Sequence, residues 1–110
     1  MFRTLTLALL VLSSQAAAQS QHPCARDALA RAEPLLRVHW GSNDMPRPDI
    51  DRAVASIPPI RALQGSGKID VLEVWGHIYR TSYRMRFLYA RIPGTCALMG
   101  QEILENSDPY

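Results

Sequence analysis

Side chains able to do chemistry are few in this sequence, and their spacing limits what they can do together. Three histidines, His22, His39 and His77, stand far apart, without the short separations that paired zinc ligands show. His39 beside Trp40 suits packing or capping at a helix end, while His77 lies in a strand-like run. Asp49 and Asp51 fit the start of a short helix, where the helix dipole favours negative charge. Glu73 and Glu102 fall in separate strand-like runs, where they can face each other across a sheet or meet Arg84 or Arg86. A glycosidase pair needs two carboxyls held about 5–10 Å apart in a cleft, which a chain this small rarely builds. Gly65-Ser66-Gly67 lacks the strand-to-helix setting of a nucleophile elbow. Gln64-Gly65-Ser66-Gly67-Lys68 is no phosphate loop either, because its glycines are too close and Ile69 follows the lysine. No catalytic residue, cofactor or metal ligand is assigned.

The most distinctive feature is rich in arginine. Arg80, Arg84, Arg86 and Arg91 fall in one region, with Tyr79, Tyr83 and Tyr89 between them. Alternation places Arg84 and Arg86 on one side of a strand, opposite the apolar side that carries tyrosine. Arginine and tyrosine are enriched at protein interfaces and at their hot spots. Arg84, Arg86 and Tyr79, with Trp75 and His77 from the preceding run, are therefore the candidate binding residues. The competing explanation is an ordinary solvated sheet face.

Two cysteines, Cys24 and Cys96, allow one intrachain pairing. Closing a loop of some 70 residues stabilises a fold by about 4 kcal/mol on the chain-entropy model. No C-x-x-C motif suggests redox work, so a structural disulfide is expected.

The start of the chain supports that compartment. Arg3, an apolar run from Leu5 to Leu12 and the small residues Ala16-Ala17-Ala18 follow the order of a secretory signal. The run is shorter than the roughly 20 residues of a membrane span. Residues 1–18 are thus expected to be cleaved, leaving a single domain over 19–110. Lipid attachment would need a cysteine directly after the small residues, but Cys24 sits behind Ser20-Gln21-His22-Pro23. The polar end, Glu105-Asn106-Ser107-Asp108-Pro109-Tyr110, is unlike the closing strand of an outer-membrane barrel. A soluble periplasmic or secreted protein, without stable membrane insertion, is the expectation. Lys68 is the single lysine among twelve basic residues, and alanine is abundant; a GC-rich bacterial genome explains both. The formal charge of +2 falls to +1 once Arg3 leaves with the signal, too near neutral to argue for nucleic acid.

These residues need elements to hold them. Pro23 suits a first helical turn, and Ala25, Leu29, Ala32 and Leu36 share a face as far as Trp40. Pro34 is expected to kink or break that helix, and Gly41 to end it. Ile50, Ala53, Val54 and Ile57 are spaced for a short second helix that Pro58-Pro59 ends. After a possible short strand at 60–63 and the turn at 64–68, residues 69–79, 83–90 and 95–104 read as strands, with Gly100 at a bulge or a close-packed point. The class is α+β: a helix and a short second helix on a three- to four-stranded antiparallel sheet, with the disulfide tying the helix start to the last strand.

Two function classes follow. One is a non-enzymatic binding or interaction module of the bacterial envelope, in its sharper form an inhibitor or immunity protein whose partner is another envelope or secreted protein. The other is a small hydrolase or ligand carrier with a pocket between helix and sheet near Trp40, Trp75 and His77. An open, polar pocket with His77 close to a carboxylate would favour the second; no concavity there would remove it.

Overall fold

A computed structural model describes residues 22–107 and, ahead of them, only Thr4, Thr6 and Ala8. The expected signal segment 1–18 and its cleavage site therefore lie outside the described residues, Thr4, Thr6 and Ala8 apart. One helix, α1 (Ala25–Trp40), precedes five strands: β1 (Asp49–Ile50), β2 (Ala55–Arg61), β3 (Lys68–Ile78), β4 (Thr81–Ala90) and β5 (Ala97–Asn106). The sheet is antiparallel. β3 pairs with β4 and β4 with β5, while β1 and β2 follow one another along the outer edge of β3.

The helix lies on one face of this sheet. Ala28, Ala32 and Leu36, at four-residue spacing, are fully buried against Leu72, Val74, Met85 and Phe87. Helix and sheet pack closely at Gly76, where any side chain would press on its neighbours. A Cβ there would meet Ile50 Cδ1 at 3.0 Å, Met85 Cε at 3.2 Å and Leu36 Cδ2 at 3.6 Å.

Polar ties reinforce the packing at both helix ends. At the N-terminal end, Tyr89 donates its hydroxyl to Asp27 at 2.7 Å, and Arg31 Nε donates to the same carboxylate oxygen at 2.7 Å. Those bonds, Arg31's first, hold the Asp27 carboxyl below its usual range, and burial drives the Tyr89 hydroxyl well above its own. Asp70 sits beneath the same end, between His22 Nε2 at 3.0 Å and Arg91 Nε at 2.8 Å, and those contacts lower its pKa too. At the far end, His39 meets Tyr83 edge-on at 5.7 Å and lies 3.6 Å from Glu105.

The disulfide forms as expected, between Cys24 just ahead of α1 and Cys96 just ahead of β5, with their Cα atoms 5.6 Å apart. No helix among the described residues is long and apolar enough to cross a membrane.

Three expectations need correction. Pro34 does not break the helix, which runs unbroken to a left-handed Gly41 cap. Pro34 and Ala30 both face solvent, so water can take the carbonyl that the missing N–H leaves free, while Ala32 and Leu36 stay anchored on either side. The second helix is absent. Asp49 and Ile50 form β1, and Ala55 to Arg61 form β2, because the edge of β3 offers a row of backbone groups that a short isolated helix would leave unpaired. Pro58-Pro59 stay inside β2, where a bulge sets two residues against one between Ile57 and Ile60. The sheet accordingly has five strands rather than three or four.

The proposed irregularity near Gly100 is present. Leu88 pairs with Gly100 and Tyr89 with Leu98, which leaves Met99 as the extra residue. A Cβ at Gly100 would meet nothing, so the feature is a bulge and not a packing constraint.

Candidate functional site

Because side chains alternate along a strand, the pairing that turns Leu72, Val74, Met85 and Phe87 towards the helix turns their neighbours the other way. Three cross-strand rows result. His77 pairs with Ser82 and Ser82 with Asn106; Trp75 pairs with Arg84 and Arg84 with Leu104; Glu73 pairs with Arg86 and Arg86 with Glu102. Four of the five candidate binding residues, Trp75, His77, Arg84 and Arg86, thus share the face opposite the helix.

Each row is finished differently. In the third, Arg86 Nε donates to Glu73 at 2.8 Å and its guanidinium lies 4.0 Å from Glu102, so both carboxylates expected to meet an arginine meet the same one. Glu73 also accepts from Trp75 Nε1 at 2.9 Å. These two donors make burial of Glu73 tolerable, since an unpartnered carboxylate would resist it. In the first row, His77 Nδ1 lies 2.9 Å from Ser82 Oγ and its Nε2 3.1 Å from Asp51 Oδ2. Asp51 is therefore not at a helix start, as the sequence suggested, but beside a histidine in the turn after β1.

The middle row is incomplete. Arg84 has no hydrogen bond or ion pair among the described residues, and its Nε is buried with no partner. Its neighbours across the register are Trp75, half-buried, and Leu104, 54% exposed.

Tyr79 stands apart from the face. β3 and β4 are joined by the two residues Tyr79 and Arg80, and Tyr79 is 87% exposed at the tip with φ of 54°. A left-handed φ at the first of two hairpin-loop residues is a position normally given to glycine. An aromatic residue there carries strain, a pattern found at functional loops. Tyr83 and Tyr89, its companions in the arginine-rich run, are core residues.

The expected pocket between helix and sheet is filled by the core, and Trp75 and His77 face away from it. Trp40 ends the helix and donates Nε1 to Asp44 at 3.1 Å, just beyond it. Grooves do exist elsewhere. One of about 720 Å³ lies between α1 and β1, lined by Glu33, Arg37, Arg47 and Arg52 among others. Another of about 590 Å³ flanks the disulfide. No group of three or more His, Cys, Asp or Glu among the described residues is placed to hold a metal ion.

Ser82 and Leu104 were not singled out from the sequence, and Asp51 was read as the start of a helix instead of a partner of His77. The signal that could have found Ser82 is the hairpin register: a two-residue loop at Tyr79-Arg80 places Ser82 opposite His77 and Arg84 opposite Trp75. No protein-family model, curated protein or solved structure matches this chain.

Proposed function

We propose that this chain is a non-enzymatic protein-binding module of the bacterial envelope, periplasmic or secreted, and that the sheet face opposite the helix is its contact surface. A disulfide of this kind is characteristic of oxidising, non-cytoplasmic compartments, which fits an exported protein. The observation that carries the reading is the middle row of the face: an arginine with a buried, unpartnered Nε, set between a tryptophan and an exposed leucine. Trp, Tyr and Arg are the residues from which interface hot spots are built. An inhibitor or immunity protein against a lytic enzyme is the sharper form, supported by the small, disulfide-closed domain and its exposed aromatic hairpin tip.

The test is photo-crosslinking in cells of the source bacterium from a reactive residue at Leu104, with a second at Ala30 on the outer side of the helix. A partner joined through Leu104 alone, and lost in the Arg84→Glu, Arg86→Glu double variant, supports the reading. Identical adducts from both positions and in both backgrounds would sink it. Recovery of a lytic enzyme supports the sharper form.

A small hydrolase is the second reading, favoured by the chain of contacts Asp51–His77–Ser82. With Nε2–H donating to Asp51, Nδ1 is free to accept from the Ser82 hydroxyl, the arrangement that makes a serine nucleophilic. Against it, β4 is flanked on both sides, so the backbone N–H groups around Ser82 serve the ladder rather than an oxyanion hole. Covalent labelling of Ser82 by a fluorophosphonate, abolished by His77→Ala, would raise this reading above the first.

A further inference from the structure

We infer that Arg84 is the docking point for a carboxylate side chain presented by the partner protein, an inference that rests on the open face being the contact surface. The other charged side chains of this face each have a partner. Glu73 and Glu102 share Arg86, and Asp51 lies against His77. Elsewhere Arg31, Arg37 and Arg91 each hold a carboxylate of their own. Arg84 alone combines a buried guanidinium nitrogen with the absence of any partner among the described residues. Nε itself is closed to solvent, so a carboxylate arriving from outside meets the terminal nitrogens of this half-buried side chain, which also have no partner among the described residues.

The surroundings select the acceptor. Trp75 on one side and Leu104 on the other frame Arg84 with apolar surface, which excludes water from a docked group. Glu73 and Glu102 lie one row away, so a singly charged carboxylate suits the local field better than a doubly charged phosphate. The planar guanidinium matches a carboxylate edge with two parallel N–H donors. A glutamate or aspartate on an exposed loop of the partner, beside an apolar residue that covers Leu104, meets these requirements.

The experiment follows the Arg Nε–Hε resonances of the purified protein by NMR while three probes are added: the blocked tripeptide Gly-Glu-Gly, its Gly-Gln-Gly counterpart, and inorganic phosphate. The expected result is a saturable shift at Arg84 with the glutamate peptide, at least fivefold larger than with the glutamine peptide, and lost in Arg84→Gln. Exposed Arg52 and Arg61 serve as internal references for general ionic effects. An equal response at those two arginines, or an equal response to both peptides, overturns the carboxylate assignment. So does a tighter response to phosphate. If Arg84→Gln does not fold, the wild-type comparison of the two peptides decides alone. Crosslinking through Leu104 with no carboxylate response at Arg84 leaves the docking face standing and removes this inference, so the two can fail separately.

Discussion

The two faces of the sheet are made from the same strands in the same register, yet they handle polarity in opposite ways. On the helix side, the polar groups that approach the core are matched: Tyr89 with Asp27, Asp70 with His22 and Arg91. On the open side, two rows are matched and one is left with a buried donor unsatisfied. The contrast separates stability from function. Matched groups under a helix are what a fold needs, whereas an unmatched one in a half-covered row costs stability, and on the proposed function a partner meets the chain there.

Truncation should show the contrast most strongly. Phe87→Ala, beneath the helix, should cost about 3–5 kcal/mol in urea unfolding, against about 1 kcal/mol for Leu88→Ala on the other side of the same strand. Equal costs would mean that the open face is also a core. Cys24→Ser with Cys96→Ser should lower stability by about 4 kcal/mol, through the 72-residue separation that the bond spans. Since the link joins the helix start to the last strand, loss of helical signal ahead of the sheet signal would show that it serves the covered face in particular.

Smaller effects should run in the other direction. Arg84→Leu removes an unsatisfied buried nitrogen, so its unfolding free energy should match wild type or exceed it by up to about 1 kcal/mol while crosslinking through Leu104 is lost. A clear loss of stability would show that Arg84 belongs to the fold. Tyr79→Gly should likewise stabilise by about 1 kcal/mol, because glycine accepts the left-handed φ without steric cost. The smallest effect is one of pH and belongs to the covered face. Asp27 and Asp70 have folded pKa values below their unfolded ones, near 3.9, so their contribution is complete above about pH 4 and is lost as pH falls through the lowered values. Thermal midpoints should be flat from neutral pH down to that point and fall below it, less steeply in an Asp27→Asn, Asp70→Asn variant.

How much of this was legible depended on whether a local signal agreed with its surroundings. The alternation of Tyr83, Met85, Phe87 and Tyr89 with Arg84 and Arg86 is long enough to assign both faces of β4, and the cysteine pair could close in one way only. Ile50, Val54 and Ile57 misled because a window that short also fits helical spacing, while the demand for a partner at the edge of β3 is a long-range fact. The turn at Tyr79-Arg80 was obscure because it uses an aromatic residue where glycine is expected, and with it went the register that joins Trp75 to Arg84. Neither the partnerless Nε nor the pairing of His77 with Asp51 follows from spacing, since both depend on which rows the three strands bring together.

The two margins of the sheet carry a further consequence. One margin is β1 followed by β2, where Pro58-Pro59 remove two backbone donors; the other is β5, ten residues long with its own bulge at Met99, and with nothing among the described residues paired to its outer side. A strand can therefore be added on the β5 side and is opposed on the β2 side. Were two molecules to join edge to edge, the contact would have to be β5 against β5, the same surface from each, and such a contact closes on itself. The prolines thus oppose strand addition at the β2 margin and leave β5 as the margin better suited to it.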